Sequence, residues 1–324
     1  MNSIIPWVGG KSKLLWIIDE LAPCEYSCFV DVFGGSGTVV LNRPLRDGCT
    51  EVYNDFNSDL TNLMFCVKNR PLRLIKELKF LPLHSRDDFS ALLRFFQQEE
   101  FTDEYLEEEL QLTERYLPLP QANVLRQLLL ERAEHGDVRR AANYFKLIRY
   151  SFSGTGTSFG GKPCDLRRFF HLIWECSRRL ADVVVENRDF AKVIRQYDRK
   201  TTFFYCDPPY YEAERYYRVA FTEKDHRRLH KALRHVRGYA MVSYNNTPFV
   251  RELYKDFYIF LTERSDPLSQ TEGKRYEELI ITNYDPRCHG SQMSIDISGS
   301  PGAGCTLIHE PPEEQKEKWR RKHT

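Results

Sequence analysis

The sequence lacks the features of membrane, secreted and disulfide-stabilised proteins. No apolar run approaches the roughly 20 residues of a membrane-spanning helix, and the opening MNSIIPWVGGKSKLL is not patterned like a signal peptide. The nine cysteines are irregularly spaced and include no C-x-x-C pair, which argues against a disulfide framework and a zinc site. These absences predict a cytoplasmic protein with reduced thiols, no membrane partner and no metal.

Two glycine-rich turns lack complete phosphate-binding motifs. In PWVGGKSK (6–13), GKS is the end of a phosphate-binding loop, but Ile5 stands where that motif requires glycine. In FGGSG (33–37), the G-x-G is present, but Val40 stands where a dinucleotide-binding motif has its third glycine. The sequence therefore does not predict a nucleoside triphosphatase, and the second turn is not a dinucleotide-binding motif.

Charge is balanced over the whole chain but not along it. The 47 Lys and Arg residues nearly cancel the 46 Asp and Glu residues. Residues 97–114 hold eight acids and no base, whereas residues 139–179 hold nine bases and two acids. The basic stretch is typical of a polyanion-binding surface, although a solvated helix face explains it equally well when it is considered alone.

Alternating strand and helix patterns predict the fold. Strand-like runs at 28–33, 51–54, 182–187, 201–206 and 239–244 are separated by helical patterns, and 256–262 with 277–284 predict a terminal hairpin. We expect an α/β protein with a Rossmann-like, doubly wound, mostly parallel sheet, a terminal antiparallel hairpin and a helical insertion. The predicted parts are a sheet domain (1–70 and 181–285), a helical insertion (71–180) and a flexible tail without a core (286–324).

The predicted strand TTFFYC (201–206) ends with Asp207, two prolines and two tyrosines. Consecutive prolines force an extended exit from the strand and cannot donate hydrogen bonds to a sheet. The segment thus combines a carboxylate, rigidly held carbonyls and aromatic faces, which a planar hydrogen-bonding ligand requires. A purely structural turn is the alternative.

An acid at the end of the second predicted strand supports a nucleoside ligand. Asp55 follows EVYN (51–54) and lies about 20 residues after the glycine-rich turn, where a carboxylate can accept hydrogen bonds from ribose hydroxyls. Together with FGGSG (33–37), it predicts an adenosine-containing ligand without requiring phosphate groups. A surface aspartate is the alternative.

Three motifs occur in one order: WVGGK (7–11), DVFGGSGTV (31–39) with the downstream Asp55, and CDPPYY (206–211) after the helical insertion. This order resembles the Dam-type family of DNA N6-adenine methyltransferases over residues 4–285, and KRYEELIITNY (274–284) is similar to endings found in that family. The resemblance implies S-adenosylmethionine as the cofactor, bound by the sheet domain. It also implies double-stranded DNA as the partner, with target recognition in the insertion.

The resemblance assigns roles to individual residues. The Asp207 carboxylate and the Pro208 carbonyl would accept the two N–H groups of a target adenine, and Tyr210 would stack on its base. The base would be flipped out of the duplex to reach them. Residues implied for cofactor binding are Trp7, Lys11, Phe33, Gly35, Gly37, Asp55, Asp189, Phe190 and Asp207, with Asp31 matching an acid ahead of the loop. Phosphate contacts are expected from Arg139, Arg140, Arg149, Lys162, Arg167 and Arg168.

The predicted function is site-specific adenine-N6 methylation of DNA by a monomeric enzyme. The open alternatives are an N4-cytosine or RNA methyltransferase and a non-catalytic DNA-binding regulator of the same fold. Protein-glutamine methylation is disfavoured because Asp207 stands where such enzymes usually have asparagine. The loop YSFSGTGTSFGGK (150–162) departs from the family pattern at Ser153, so the recognised DNA sequence is not predicted.

Overall fold

The structure, a computed structural model, divides the chain into two compact units. The helical unit comprises Met1–Gly9 and Asn57–Ala181, and the sheet unit comprises Gly10–Phe56 and Asp182–Thr324. The described residues are 3–7, 10–79, 85–97, 111–126, 137–161, 164–212, 220–265, 275–288 and 305–323.

One sheet of eight strands forms the centre of the sheet unit, in the order β3-β2-β1-β4-β5-β7-β6-β8. Strands β1 to β5 pair in parallel, β7 is antiparallel to both β5 and β6, and β8 is antiparallel to β6. This arrangement confirms the predicted α/β fold with its terminal hairpin. The strands are β1 (Cys28–Asp31), β2 (Thr50–Asn54), β3 (Val184–Glu186), β4 (Thr202–Cys206), β5 (Tyr239–Asn245), β6 (Tyr258–Ser265), β7 (Arg275–Thr282) and β8 (Cys305–His309).

Helices occur in both units. Helices α3 to α7 belong to the helical unit, in which residues 111–116 and 119–126 are also helical, and the other helices belong to the sheet unit. The helices are α1 (Leu15–Glu20), α2 (Thr38–Asn42), α3 (Ser58–Asn69), α4 (Pro71–Lys79), α5 (Arg86–Gln97), α6 (Val138–Tyr150), α7 (Phe170–Arg179), α8 (Phe190–Tyr197), α9 (Glu223–His235), α10 (Pro248–Leu253) and α11 (Glu313–His323).

The central strands are apolar along their length because helices cover both faces of a parallel sheet. Val30, Val52, Phe204 and Val242, one from each of β1, β2, β4 and β5, are completely buried in one hydrophobic core. This core holds the strand ends in fixed positions relative to one another, which matters because the candidate site lies at those ends.

The helical unit begins with a capped helix. The Asn57 side chain accepts hydrogen bonds from the backbone amides of Asp59 and Leu60, as an N-cap residue does. Asp137 caps α6 in the same way through the Arg140 amide, and Asn62 of α3 donates to the Asp137 carbonyl at 2.9 Å. Helix α3 therefore packs with the helical unit, whereas we predicted that residues up to 70 would belong with the sheet.

The C-terminal segment corrects one prediction. Residues 286–324 were predicted to form a flexible tail without a core, but β8 extends the sheet and α11 follows it. Trp319 of α11 is only 2% exposed and contacts Phe257, with 5.6 Å between ring centroids. The prediction is wrong for residues 305–323. This polar segment is attached to the sheet unit by the pairing of β8 with β6 and by the buried Trp319 side chain.

Two further sequence features can be compared with the structure. In the part of the chain that is described, no helix is long and apolar enough to cross a membrane. The described cysteines Cys24, Cys28, Cys49, Cys66, Cys164, Cys176, Cys206 and Cys305 are free thiols. Most of the acidic stretch 97–114 lies outside the described residues.

Candidate active site

The parallel strands bring the predicted motifs to one edge of the sheet. In register, Val30 of β1 lies beside Val52 of β2 on one side and Phe204 of β4 on the other. The three strands therefore end side by side, and the residues that follow them emerge at the same carboxyl edge. This edge is where α/β sheets of this type bind their ligands.

The glycine-rich turn follows β1 and is fixed by two residues of the β2 end. The Gly35 amide donates to the Asp55 carboxylate at 2.9 Å, and the Tyr53 hydroxyl donates to the Gly35 carbonyl at 2.7 Å. Gly35 and Gly37 have φ angles of 51° and 73°, which favour glycine. A Cβ on Gly34 would lie 2.2 Å from the Tyr53 ring. The turn thus requires glycine at three positions and places its backbone beside Asp55.

Three aromatic rings lie beside this turn. Phe33 is 5.6 Å from Phe190 and 5.8 Å from Phe221 between ring centroids, and Phe190 and Phe221 are 5.8 Å apart. Asp189 caps α8 by accepting from the Ala191 amide, and both of its oxygens accept from Arg228 at 3.1 Å. The predicted pair Asp189 and Phe190 is therefore beside the turn, with the Asp189 carboxylate already bound within the protein.

Asp207 lies at the end of β4 and has a cation beside it. Lys11 Nζ is 2.7 Å from Asp207 Oδ2, and the Ser243 hydroxyl donates to Asp207 Oδ1 at 3.0 Å. The Lys11 side chain is 3% exposed, whereas that of Asp207 is 20% exposed. Lys11 Nζ also lies 4.9 Å from the centroid of the Tyr210 ring. The structure thus brings together Lys11, Asp207 and Tyr210, which were predicted from two separate motifs.

Burial, the Lys11 ammonium and the neighbouring carboxylates determine the electrostatics of this site. Burial raises the pKa of Asp207 above its usual range; the Glu278 carboxylate adds to this rise, while Lys11 and Ser243 oppose it. Burial and the carboxylates of Glu278 and Asp207 raise the pKa of Tyr210 well above its usual value. The Tyr210 hydroxyl therefore stays protonated near neutral pH and can donate a hydrogen bond.

Three polar residues of this site were not predicted from the sequence: Ser243, Asn245 and Glu278. Ser243 contacts Asp207, the Asn245 amide donates to the Tyr211 carbonyl at 2.9 Å, and Glu278 accepts from the Tyr210 hydroxyl. They lie on β5 and β7, where Asn245 pairs with Glu278. The available signal was the presence of polar residues in otherwise apolar strands.

Asp31 is another almost completely buried acid at this edge. It is 1% exposed, and burial, together with the charges of Asp207 and Asp55, raises its pKa to about 8. It is therefore mostly protonated at neutral pH.

The described residues contain no group of His, Cys, Asp and Glu side chains that could hold a metal ion.

The remaining predicted residues lie in the helical unit, where Trp7 is half-buried. Arg140 forms an ion pair with Asp59 at 2.5 Å. Arg149 donates to the Ile4 carbonyl, lies 3.6 Å above the Phe169 ring and has a pKa that burial lowers to about 10. Both guanidinium groups are thus used within the protein.

The other expected phosphate-binding residues are more accessible. Arg139 and Arg168 are exposed, and Arg167 is 75% exposed and pairs with Asp165 at 2.9 Å. Lys162 lies outside the described residues. Exposed arginines are the side chains that can reach a phosphate from the protein surface, although Arg167 would have to exchange its ion pair with Asp165 for the phosphate contact.

Comparisons with known proteins bear on this site. The sequence model of the D12 class N6 adenine-specific DNA methyltransferases matches residues 7–265. The chain is 26% identical over 300 residues to the type II methyltransferase M1.LlaDCHI of Lactococcus lactis subsp. cremoris, over 86% of this chain and 94% of that protein. It is 21% identical over 292 residues to the type II methyltransferase M.CviBI of Paramecium bursaria Chlorella virus NC1A, and the match covers 88% of this chain and 100% of that protein. It is 26% identical over 208 residues to the DNA adenine methylase of Haemophilus influenzae, and the match covers 64% of this chain and 63% of that protein.

Proposed function

The chain belongs to the D12 class of N6 adenine-specific DNA methyltransferases, and on that premise we propose that it methylates adenine flipped out of double-stranded DNA, with S-adenosylmethionine as the donor. The observation that carries this proposal is the Asp207 carboxylate at the end of β4, in contact with Lys11 and Ser243. Its partly exposed side chain can accept a hydrogen bond from a ligand at the sheet edge.

The glycine-rich turn fits the cofactor. Its backbone has no side chains at Gly35 and Gly37, so a ligand can approach it closely. Asp55 has lone pairs beyond the one that Gly35 uses, because a carboxylate accepts about four hydrogen bonds, and these would bind ribose hydroxyls. Phe33 and Phe190 offer apolar surface for the adenine ring. When bound, S-adenosylmethionine supplies an electrophilic methyl group on a sulfonium sulfur.

Asp207 and Pro208 would activate the target amine. The lone pair of an adenine N6 amine is delocalised into the ring, which makes the amine a weak nucleophile. The Asp207 carboxylate accepts one N6–H and the Pro208 carbonyl the other, which returns electron density to the nitrogen. The Asp207 carboxylate would also stabilise the positive charge that develops on N6 as this nitrogen forms its bond to the methyl group. The proton that N6 then loses would pass to Asp207 or to water. Tyr210, fixed by Glu278, stacks on the base.

The helical unit would bind the phosphate backbone of the DNA. Arg167 and Arg168 are exposed on one short segment, and Arg139 is exposed at the start of α6. Arg140 and Arg149 contribute less, because their internal ion pair and cation–π contact would have to break. Binding through these groups depends on salt, because each phosphate contact releases counterions.

Replacement of Asp207 tests the catalytic proposal. Asp207→Ala removes the acceptor of the N6 proton, and we expect it to lower single-turnover methyl transfer to DNA at least about 1,000-fold. Cofactor binding, measured by calorimetry, should change by less than about tenfold. Asp182→Asn, which alters an exposed acid outside the site, is the matched control. Near wild-type transfer by Asp207→Ala would refute the proposed role of this carboxylate.

A further inference from the structure

Glu278 is a buried acid at the start of the apolar part of its strand. It is 1% exposed, and the residues that follow it in β7, Leu279, Ile280 and Ile281, are completely buried. Burial of a carboxylate costs free energy unless a cation or hydrogen-bond donors compensate it. A glutamate at such a position is therefore expected to have specific partners.

Those partners are residues of the candidate active site. The Tyr210 hydroxyl donates to Glu278 Oε1, and Lys11 Nζ lies 3.5 Å from the same oxygen. Lys11 Nζ also lies 2.7 Å from Asp207 Oδ2. One ammonium group is thus shared between two carboxylates, and one of these carboxylates also holds the Tyr210 ring.

The strand fixes Glu278 in this position. Glu278 pairs with Asn245 of β5 on one side and with Thr262 of β6 on the other. Because side chains alternate along a strand, Glu278 and Asn245 share a sheet face with Ser243, which donates to Asp207. Three polar side chains on one face of two paired strands therefore hold residues 207, 210 and 211.

We propose that Glu278 is a positioning residue for methyl transfer, a role that rests on the function proposed above. Its hydrogen bond fixes the Tyr210 ring for stacking on the target base. Its charge competes with Asp207 for Lys11, so that Asp207 remains a strong acceptor for the N6 proton. Glu278 acts through Tyr210 and Lys11 rather than on the reacting atoms.

The charge balance gives this proposal a specific consequence. The groups that act on the Asp207 carboxylate are the Lys11 ammonium, the Ser243 hydroxyl and the Glu278 carboxylate, with Asp31 and the Tyr205 hydroxyl nearby. If Glu278 becomes neutral, its charge no longer competes with that of Asp207 for the Lys11 ammonium. Asp207 then holds its negative charge more easily, its pKa falls, and it becomes a weaker acceptor for the amine.

The test compares Glu278→Gln with the matched control Glu277→Gln, which alters the neighbouring exposed acid of the same strand. Glutamine keeps the shape of the side chain and an acceptor for Tyr210, but removes the charge. We expect Glu278→Gln to lower the single-turnover rate about 10- to 100-fold, with KM for DNA and cofactor within about threefold. The acidic limb of the rate profile should move to lower pH. Glu277→Gln should match the wild type in all three readouts.

A second readout does not depend on activity. The carboxyl carbon of Asp207, followed by NMR and assigned by its loss in Asp207→Asn, should titrate at lower pH in Glu278→Gln than in the wild type. If the wild type transfers no methyl group to DNA, the proposed function fails, and this titration still decides whether Glu278 tunes Asp207. An unmoved titration would overturn the proposal. So would a rate loss that is the same at every pH and matched by lost thermal stability, since that pattern indicates a merely structural role.

A double-mutant cycle covers the case in which Glu278→Gln folds poorly. Tyr210→Phe removes the hydroxyl that Glu278 accepts, and we expect it to lower the rate about tenfold. Combined with the milder Glu278→Asp, it should lower the rate by less than the product of the two single effects, because both changes break one contact. Effects that multiply fully would show that Glu278 and Tyr210 act independently and would contradict the proposal.

Discussion

Asp31 and Asp207 lie at the same sheet edge but differ in what compensates their burial. Asp207 has Lys11 at 2.7 Å, whereas the pKa of Asp31 rises to about 8 through burial and through the charges of Asp207 and Asp55. Asp31 therefore occupies the site as a neutral acid at neutral pH, and Asp207 as the acid with a cationic partner. The two acids are suited to different roles, Asp31 to structure and Asp207 to hydrogen-bond acceptance from an amine.

The high pKa of Asp31 predicts a pH-dependent effect on stability. The folded protein binds the Asp31 proton more tightly than the unfolded chain, so this residue stabilises the fold most below pH 4. That contribution is lost as the pH rises toward about 8. Asp31→Asn removes the titration, and its stability relative to the wild type should rise by on the order of 4 kcal/mol between pH 5 and pH 8.

Urea unfolding of both proteins at the two pH values measures this difference. Asp182→Asn, at an exposed position, should show no such trend. A constant difference between Asp31→Asn and the wild type at both pH values would mean that Asp31 is ionised in the folded protein.

At the scale of elements, the strands were predicted to within two or three residues at nearly every end, because apolar runs bounded by polar turns mark buried parallel strands. Asp207 and Asp55 were predicted because they stand immediately after such runs. Ser243 and Glu278 were missed because their position depends on the register between β5 and β7, which a single sequence does not reveal. Strand β8 was missed because its five residues alternate between half-buried and exposed and follow a Gly/Pro-rich segment.

The turn between β1 and α2 gives a prediction for one element. Alanine at Gly34 would push against the Tyr53 ring, whose hydroxyl holds the Gly35 carbonyl. We expect Gly34→Ala to destabilise the protein by about 1–3 kcal/mol and to weaken cofactor binding at least about tenfold.

Gly48→Ala is the control, because Gly48 has a left-handed backbone but no atom within 4 Å of the added carbon. It should cost about 1 kcal/mol and leave cofactor affinity unchanged. Calorimetric titration with the cofactor separates the two glycines, and equal affinities in both variants would exclude the turn from the binding site.

The C-terminal helix α11 is attached to the core by a buried tryptophan. Trp319 is buried against Phe257, so Trp319→Ala should lower the free energy of unfolding by about 3–5 kcal/mol. Trp16→Ala, at a position that is 47% exposed, should cost less than about 1 kcal/mol. Denaturant unfolding compares them, and equal small losses would mean that α11 is not attached to the core.

Over the whole molecule, the chain is almost neutral, but its charges are clustered along the sequence. The basic stretch 139–179 belongs to the helical unit, and the acids that surround Lys11 belong to the sheet unit. By sequence, the helical unit also contains the acidic stretch 97–114, so the excess of base belongs to residues 139–179 and not to the whole unit. A local excess of this kind is typical of a polyanion-binding surface.

The basic stretch predicts how DNA binding depends on salt. Arg167→Ala combined with Arg168→Ala should weaken binding to every duplex and reduce the slope of log affinity against log salt by about 2. Lys192→Ala combined with Arg195→Ala removes two exposed bases of the sheet unit and should leave the slope unchanged. Fluorescence anisotropy at several salt concentrations measures both. An unchanged slope in the first variant would place the DNA elsewhere on the protein.

The most direct test of the account is transfer of a labelled methyl group from S-adenosylmethionine to unmethylated genomic DNA, followed by mapping of the modified base at single-nucleotide resolution. We expect the wild type to produce N6-methyladenine within one short DNA sequence and Asp207→Ala to produce none. Label on cytosine, or none on DNA from a protein that binds the cofactor, would contradict it.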